Sequence, residues 1–240
     1  MTKIKTSLVA LGALLASPVA AAAADLFEPA PVPQWSGFYL GITGGYGWGE
    51  LDFTPTGDYA GAPNPTIEPD GGLIGGQIGM DFDAGNGIIW GAVGDISWAD
   101  MTDSVCVEAT GPCVGDPDES YGIANVDWFA TVRGKFGFGM ESAQIYATGG
   151  LAIAGAKATV TNIDGVTDFS DSNTLVGWTV GAGVLYKFTE NISIGGEYLY
   201  ADFGKQNYDF SGDTLGGPVT GGASADLSMQ VFRGSLNYHF

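Results

Sequence analysis

The 240-residue chain is short of the groups that carry most protein chemistry: it has one His, two Cys and only 8 Lys and Arg. One His and two Cys leave few ligands for a zinc or haem site. Eight bases against 27 acids, a formal net charge of −19, argue against a nucleic-acid partner, because gripping phosphates needs clustered Lys and Arg. Charged residues make up 15% of the chain against 45% hydrophobic, too apolar a balance for disorder. After the first two dozen residues no run of 18 apolar residues occurs, so no helical membrane span is expected there. What the chain has instead is glycine, 40 residues of it, without the strict three-residue period of collagen. At about 1 kcal/mol per helical position relative to Ala, that content disfavours long helices.

The first 24 residues read as a secretory signal. Lys3 and Lys5 give a positive start, Leu8 to Leu15 a short apolar core, and Ala22, Ala23 and Ala24 an A-x-A cleavage site. An uncleaved membrane helix is the weaker reading, since the core is short and Pro18 ends it. Residues 25 to 35, with Pro at 29, 31 and 33, read as a Pro-rich, disordered leader before the first strand, in preference to an extended tether or plug-like tail.

From Ser36 the hydrophobic period is two. One stripe runs Val176, Trp178, Val180, Ala182, Val184, Tyr186, Phe188, alternating with Gly177, Thr179, Gly181, Gly183, Leu185 and Lys187. A second runs Val126, Trp128, Ala130, Val132, Gly134, Phe136, Phe138, and a third Phe232, Gly234, Leu236, Tyr238, Phe240. Weaker versions cover 38–48, 74–82, 88–98, 144–156 and 192–203, which makes eight strands of about 9 to 15 residues. Trp48, Trp90, Trp98, Trp128, Trp178 and Tyr186 cluster at the ends of the apolar stripes. Such girdles mark the two lipid–water interfaces of a membrane barrel, and strands of this length suffice to cross. Lipid cannot satisfy an open strand edge, so closure follows. The fold expected is an all-β, eight-stranded antiparallel up-and-down transmembrane barrel over 36–240. Tight turns fall near 84–87, 140–143 and 189–191, with long connections at about 51–70, 101–124, 159–172 and 205–224. Short periplasmic turns and long external loops would leave both termini in the periplasm.

The same parity points Asp95, Asp127, Arg133, Lys135, Glu197 and Arg233 into the lumen. Eight strands enclose a space that side chains can fill. A salt-bridged plug is therefore favoured over a charge-lined pore, with Glu197 meeting Arg133 or Arg233. The four long connections hold fourteen acids and one base, Lys205, which solvates the cell face; divalent cations bridging them to lipopolysaccharide phosphates are the sharper alternative. Cys106 and Cys113 bracket a Gly-Pro turn and, in an oxidising compartment, are expected to form a disulfide. A calcium-loop pattern from Asp81 lacks its closing Glu, since Ala92 stands there, and the sole His239 lies far from the external rim, so enzyme chemistry and cofactors are not expected.

Three segments carry a family likeness: Trp35-Ser-Gly-Phe-Tyr-Leu-Gly41, Gly195-Gly-Glu-Tyr-Leu-Tyr200 and the terminal Arg233-Gly-Ser-Leu-Asn-Tyr-His-Phe240. The chain resembles the small outer-membrane β-barrel proteins of alpha-proteobacteria, the Brucella-type group-3 surface proteins often labelled porin-family, with an OmpA-type eight-stranded barrel. The resemblance implies a structural, surface-antigen role in the cell outer membrane. Its implied partners are outer-membrane lipids, lipopolysaccharide and the barrel-assembly machinery, with Tyr238 and Phe240 as the assembly signal. Some relatives bind haemin, but no residue here matches such a motif. A narrow small-solute channel and a haemin- or host-component-binding surface protein stand as alternative functions.

Overall fold

The computed structural model describes residues 35–57, 66–84, 86–106, 120–162, 167–214 and 217–240, with side chains at the far ends of several strands left out. The expected signal segment and most of the leader lie outside these residues, as do Cys113 and the Cys106 side chain, and with them the expected disulfide. The described residues lie within one compact unit, Val32–Phe240.

The chain runs through β1 (Gly37–Gly57), β2 (Thr66–Ile67), β3 (Asp70–Asp83), β4 (Ile88–Cys106), β5 (Ser120–Gly139), β6 (Ala143–Asn162), β7 (Thr167–Lys187), β8 (Ile192–Thr214) and β9 (Gly217–His239). Each long strand pairs antiparallel with its neighbour in sequence. Pairing of β1 with β9, from Tyr39 opposite His239 to Gly57 opposite Gly221, closes the sheet into an eight-stranded barrel. The two-residue β2 only adds to the rim of β1.

Turn chemistry sets one end of the barrel. Asn86 and Gly87 take positive φ (55° and 77°) between β3 and β4, the conformation that Asn and Gly adopt most readily. Met140 N donates to Ala143 O at 2.6 Å and Phe188 N to Ile192 O at 2.9 Å, closing the other two tight turns. This is the turn end; the opposite end carries the long hairpins.

The alternation sorts the two faces. Trp178, Phe136 and Leu236 are 49%, 55% and 47% exposed and stand on the outer wall, whereas Arg133 and Glu197 are buried inside. From Phe38 to Trp48, and again from Trp178 to Phe188, outward apolar side chains run for about ten residues. At about 3.3 Å per residue and a tilt near 45°, that gives the height of a bilayer's hydrocarbon layer. Trp90 and Tyr186 sit near the turns; Trp48, Trp98, Trp128 and Trp178 form the ring at the far end. Stacking of Phe82 on Trp90 (4.7 Å) and edge contacts of Tyr186 with Phe188 and Tyr238 with Phe240 strengthen the turn-end ring.

Two expectations need correction. Apart from β3, with 14 residues, the long strands hold 19 to 23 residues, more than the 9 to 15 read from the sequence. Beyond the apolar stripe the ladders continue with polar residues, which hydrophobic periodicity does not register. Much of 51–57, 101–106, 159–162 and 205–214 is therefore strand and not loop. Asp127, expected in the lumen, is exposed. It is the extra residue of a bulge: Val126 pairs with Ala156 and Trp128 with Gly155, leaving Asp127 without an opposite number. A bulge switches side-chain parity, so Val126 is buried inside while the stripe from Trp128 onward faces out.

Candidate functional site: the filled lumen

The lumen is stacked in three layers. At mid-height, Arg133 and Arg233 each contact both Asp95 and Glu197. Arg133 donates from Nη2 to Asp95 Oδ2 at 2.9 Å and from Nη1 to Glu197 Oε1 at 2.7 Å. Arg233 donates from Nη1 to Asp95 Oδ1 at 2.7 Å and from Nη2 to Glu197 Oε2 at 2.8 Å. Thr131 Oγ1 donates to Asp95 at 2.6 Å and accepts from Arg133 Nε at 2.8 Å, while Thr148 Oγ1 accepts from Arg133 Nη1 at 2.9 Å. Two guanidinium forks and two carboxylates balance in charge, and planar forks suit bidentate carboxylate contacts. Desolvating four ions is costly, so the cluster survives only because nearly every donor and acceptor is used.

Lys135 belongs to a second pair. Its Nζ lies 2.6 Å from Asp81 Oδ2 and 5.0 Å above the rings of both Tyr39 and Tyr146. Asp81 was not anticipated. The signal was present, since Asp81 shares parity with Gln77 and Gly79 on β3, opposite Ile78, Met80 and Phe82.

The turn-end layer is also absent from the sequence reading. Trp35, expected to end the leader, is 2% exposed inside the barrel mouth. It packs with Ile89 and Leu185, donates from Nε1 to Met140 O at 3.2 Å, and holds Lys187 Nζ 4.7 Å over its ring. His239 meets Trp35 edge-on and lies 5.4 Å from the Tyr39 ring, with Nε2 2.8 Å from Ser193 Oγ. At the opposite end an apolar layer fills the lumen: Leu73, Met101, Phe129, Leu175, Leu199, Phe203, Leu227 and Met229, all buried. A residual gap lined by Thr43, Ser97, Phe129 and Arg233 is too small for a water molecule.

Inward glycines make this filling possible. A Cβ at Gly79 would lie 2.2 Å from the Tyr39 ring, and one at Gly183 would lie 2.5 Å from the Tyr146 hydroxyl. Large side chains thus lie across glycines of the next strand at these positions. Among the described residues no group of three or more His, Cys, Asp or Glu is placed to hold a metal ion.

Comparison with known proteins agrees with this architecture. The family model described as outer membrane protein beta-barrel domain matches residues 8–240. The chain is 32% identical to the 31 kDa outer-membrane immunogenic protein of Brucella melitensis, covering 97% of this chain and 98% of that protein. It is 30% identical to the 25 kDa outer-membrane immunogenic protein of the same organism over the full length of both, and 32% identical to a 22 kDa outer membrane protein of Rhizobium leguminosarum over 75% and 69%. Among solved structures, the outer membrane protein OprG of Pseudomonas aeruginosa superposes with a TM-score of 0.52 at 15% identity, covering 87% of this chain and 99% of that one. The closed barrel and the full-length matches together place the chain in the outer membrane β-barrel family that includes the Brucella 25 and 31 kDa outer-membrane immunogenic proteins.

Proposed function

We propose that this protein is a non-enzymatic structural component of the outer membrane, with a sealed lumen, that presents acidic hairpins to the outside. The observation carrying this reading is the filling of the lumen by the Arg133–Asp95–Arg233–Glu197 cluster between two packed layers. A solute path would have to displace both apolar layers and separate four paired charges. The turn end, with Trp35 and Phe240, faces the periplasm, where Tyr238 and Phe240 are offered to the assembly machinery, and the hairpin end faces out. The buried Ser193–His239 pair serves position and not hydrolysis, because Ser193 is fully covered and its Oγ already accepts from Asn237 Nδ2 beside His239 Nε2.

Planar-bilayer recording tests the reading. The folded chain is expected to give no discrete conductance steps, and regular steps from pure protein would replace it with the channel function. Boiling is expected to shift its gel migration, as for a stable barrel.

A further inference from the structure

The outer wall carries a groove of about 550 Å³ that crosses β1, β3, β4, β5 and β6. Leu40, Ile78, Ile96, Val132 and Ile153 form its rim, and Gly76, Gly94 and Ala130 its floor. The register makes it straight. Leu40, Ile78, Gly94 and Val132 follow one another along one row of the ladders, and Gly76, Ile96, Ala130 and Ile153 along the next. At a strand spacing of about 4.8 Å the groove is about 19 Å long. Gly94 stands four residues from Trp90 and four from Trp98, which belong to opposite girdles, so the groove crosses the middle of the hydrocarbon layer.

The barrel itself does not require glycine at this floor. Inward glycines such as Gly79 and Gly183 leave room for a neighbouring ring. At Gly76 and Gly94 a Cβ would meet nothing closer than 3.6 and 3.8 Å, an ordinary contact distance, and neither takes the positive φ that favours glycine. Glycine inside a strand weakens it and marks a place where another group comes close to the backbone. The floor backbone is paired on both sides, Gly76 with Ile42 and Ile96, Gly94 with Ile78 and Val132. A peptide or other polar occupant would therefore leave its own groups unsatisfied. A second barrel fits no better, since two convex walls touch along a line and would bridge the depression.

We propose that this groove holds the methyl-terminal segment of a straight, saturated phospholipid acyl chain, in preference to the rest of the wall. Between its girdles an outer-membrane barrel meets acyl chains, so the groove continues an interface that the fold already has. Selection is by shape. Burial from water contributes nothing inside a bilayer, and the gain is the dispersion contact that a narrow chain makes with a floor lacking large side chains. The inference needs the outer wall to meet lipid and does not need the lumen to be sealed, so a conducting barrel would leave it standing.

The test is methyl NMR on the full chain in nanodiscs of saturated phosphatidylcholine, with a small fraction of that lipid spin-labelled at the chain end. Methyls of Ile78, Ile96 and Ile153 should broaden about fivefold more than those of Val184 and Leu236, which lie near mid-height elsewhere on the wall. The same label on a methyl-branched chain should broaden all five alike. Gly76→Leu/Gly94→Leu should fill the groove and erase the difference while keeping heat-modifiable migration. Gly196→Leu, on β8 where a Cβ meets nothing within 4 Å, should leave the difference intact. The unsubstituted chain decides the matter even if the double variant fails to fold. Equal broadening by the straight-chain lipid overturns the proposal, as does equal selectivity for the branched chain or a difference that survives filling the groove. Broadening of none of the five methyls would refute the lipid-facing wall itself, and a cross-link between copies through Ile96→Cys would assign the groove to a second chain.

Discussion

At the scale of single residues, the lumen is governed by what happens when one member of a balanced set is removed. Replacing Arg233 by Met leaves Asp95 and Glu197 sharing Arg133, with one buried negative charge uncompensated. The expected loss is about 3–5 kcal/mol of folding stability, read as a lower urea midpoint in micelles. Restoring balance with Glu197→Gln in the same chain should recover part of it, which a simple loss of packing would not. Gly183→Leu is expected to cost about 1–3 kcal/mol by the same assay, because its Cβ would overlap the Tyr146 hydroxyl and the side chain has nowhere to go.

At the scale of elements, Trp35 behaves as part of the barrel and not of the leader before it. Trp35→Ala removes its contacts with Ile89 and Leu185, the hydrogen bond to Met140 O and the cation contact with Lys187. The expected cost is about 3–5 kcal/mol, seen as loss of heat-modifiable migration at a lower temperature. How far the elements were legible follows from where the signal is strong. Between the girdles an outward apolar stripe meets a small or polar inward one, and β5, β7 and β9 could be read residue by residue. Past the girdles the outward positions turn polar while inward ones such as Met101, Leu175, Phe203 and Leu227 turn apolar, so the outward apolar stripe that marks a strand is lost and the hairpin extensions were missed. The bulge at Asp127 escaped for a different reason: it is a one-residue register event between Val126 and Trp128, and strict alternation carries the wrong parity across it. Asp81 escapes because β3 is legible chiefly from its apolar outward side, and Trp35, although it opens the family-like segment Trp35–Gly41, follows three prolines that give it the look of leader.

At the scale of the whole molecule, the claim that matters is which wall meets lipid. Variants keeping one tryptophan report it. With phospholipids brominated along the acyl chains, the chain retaining Trp178 should lose most of its fluorescence, whereas the chain retaining Trp35 should keep it. Equal quenching of the two would contradict a lumenal Trp35. The same experiment with Trp98, 72% exposed on the outer wall, should give quenching strongest when bromine sits near the headgroup end.

Asp95 and Arg133 project from β4 and β5, Glu197 and Arg233 from β8 and β9. In the circular order of the wall these two pairs of strands face each other across the diameter. The four side chains therefore tie opposite staves of a cask, and the tube resists being squeezed oval. A cylinder braced at its waist transmits lateral pressure from the surrounding bilayer as a rigid inclusion would. That stiffness is a mechanical property suited to the structural role proposed above.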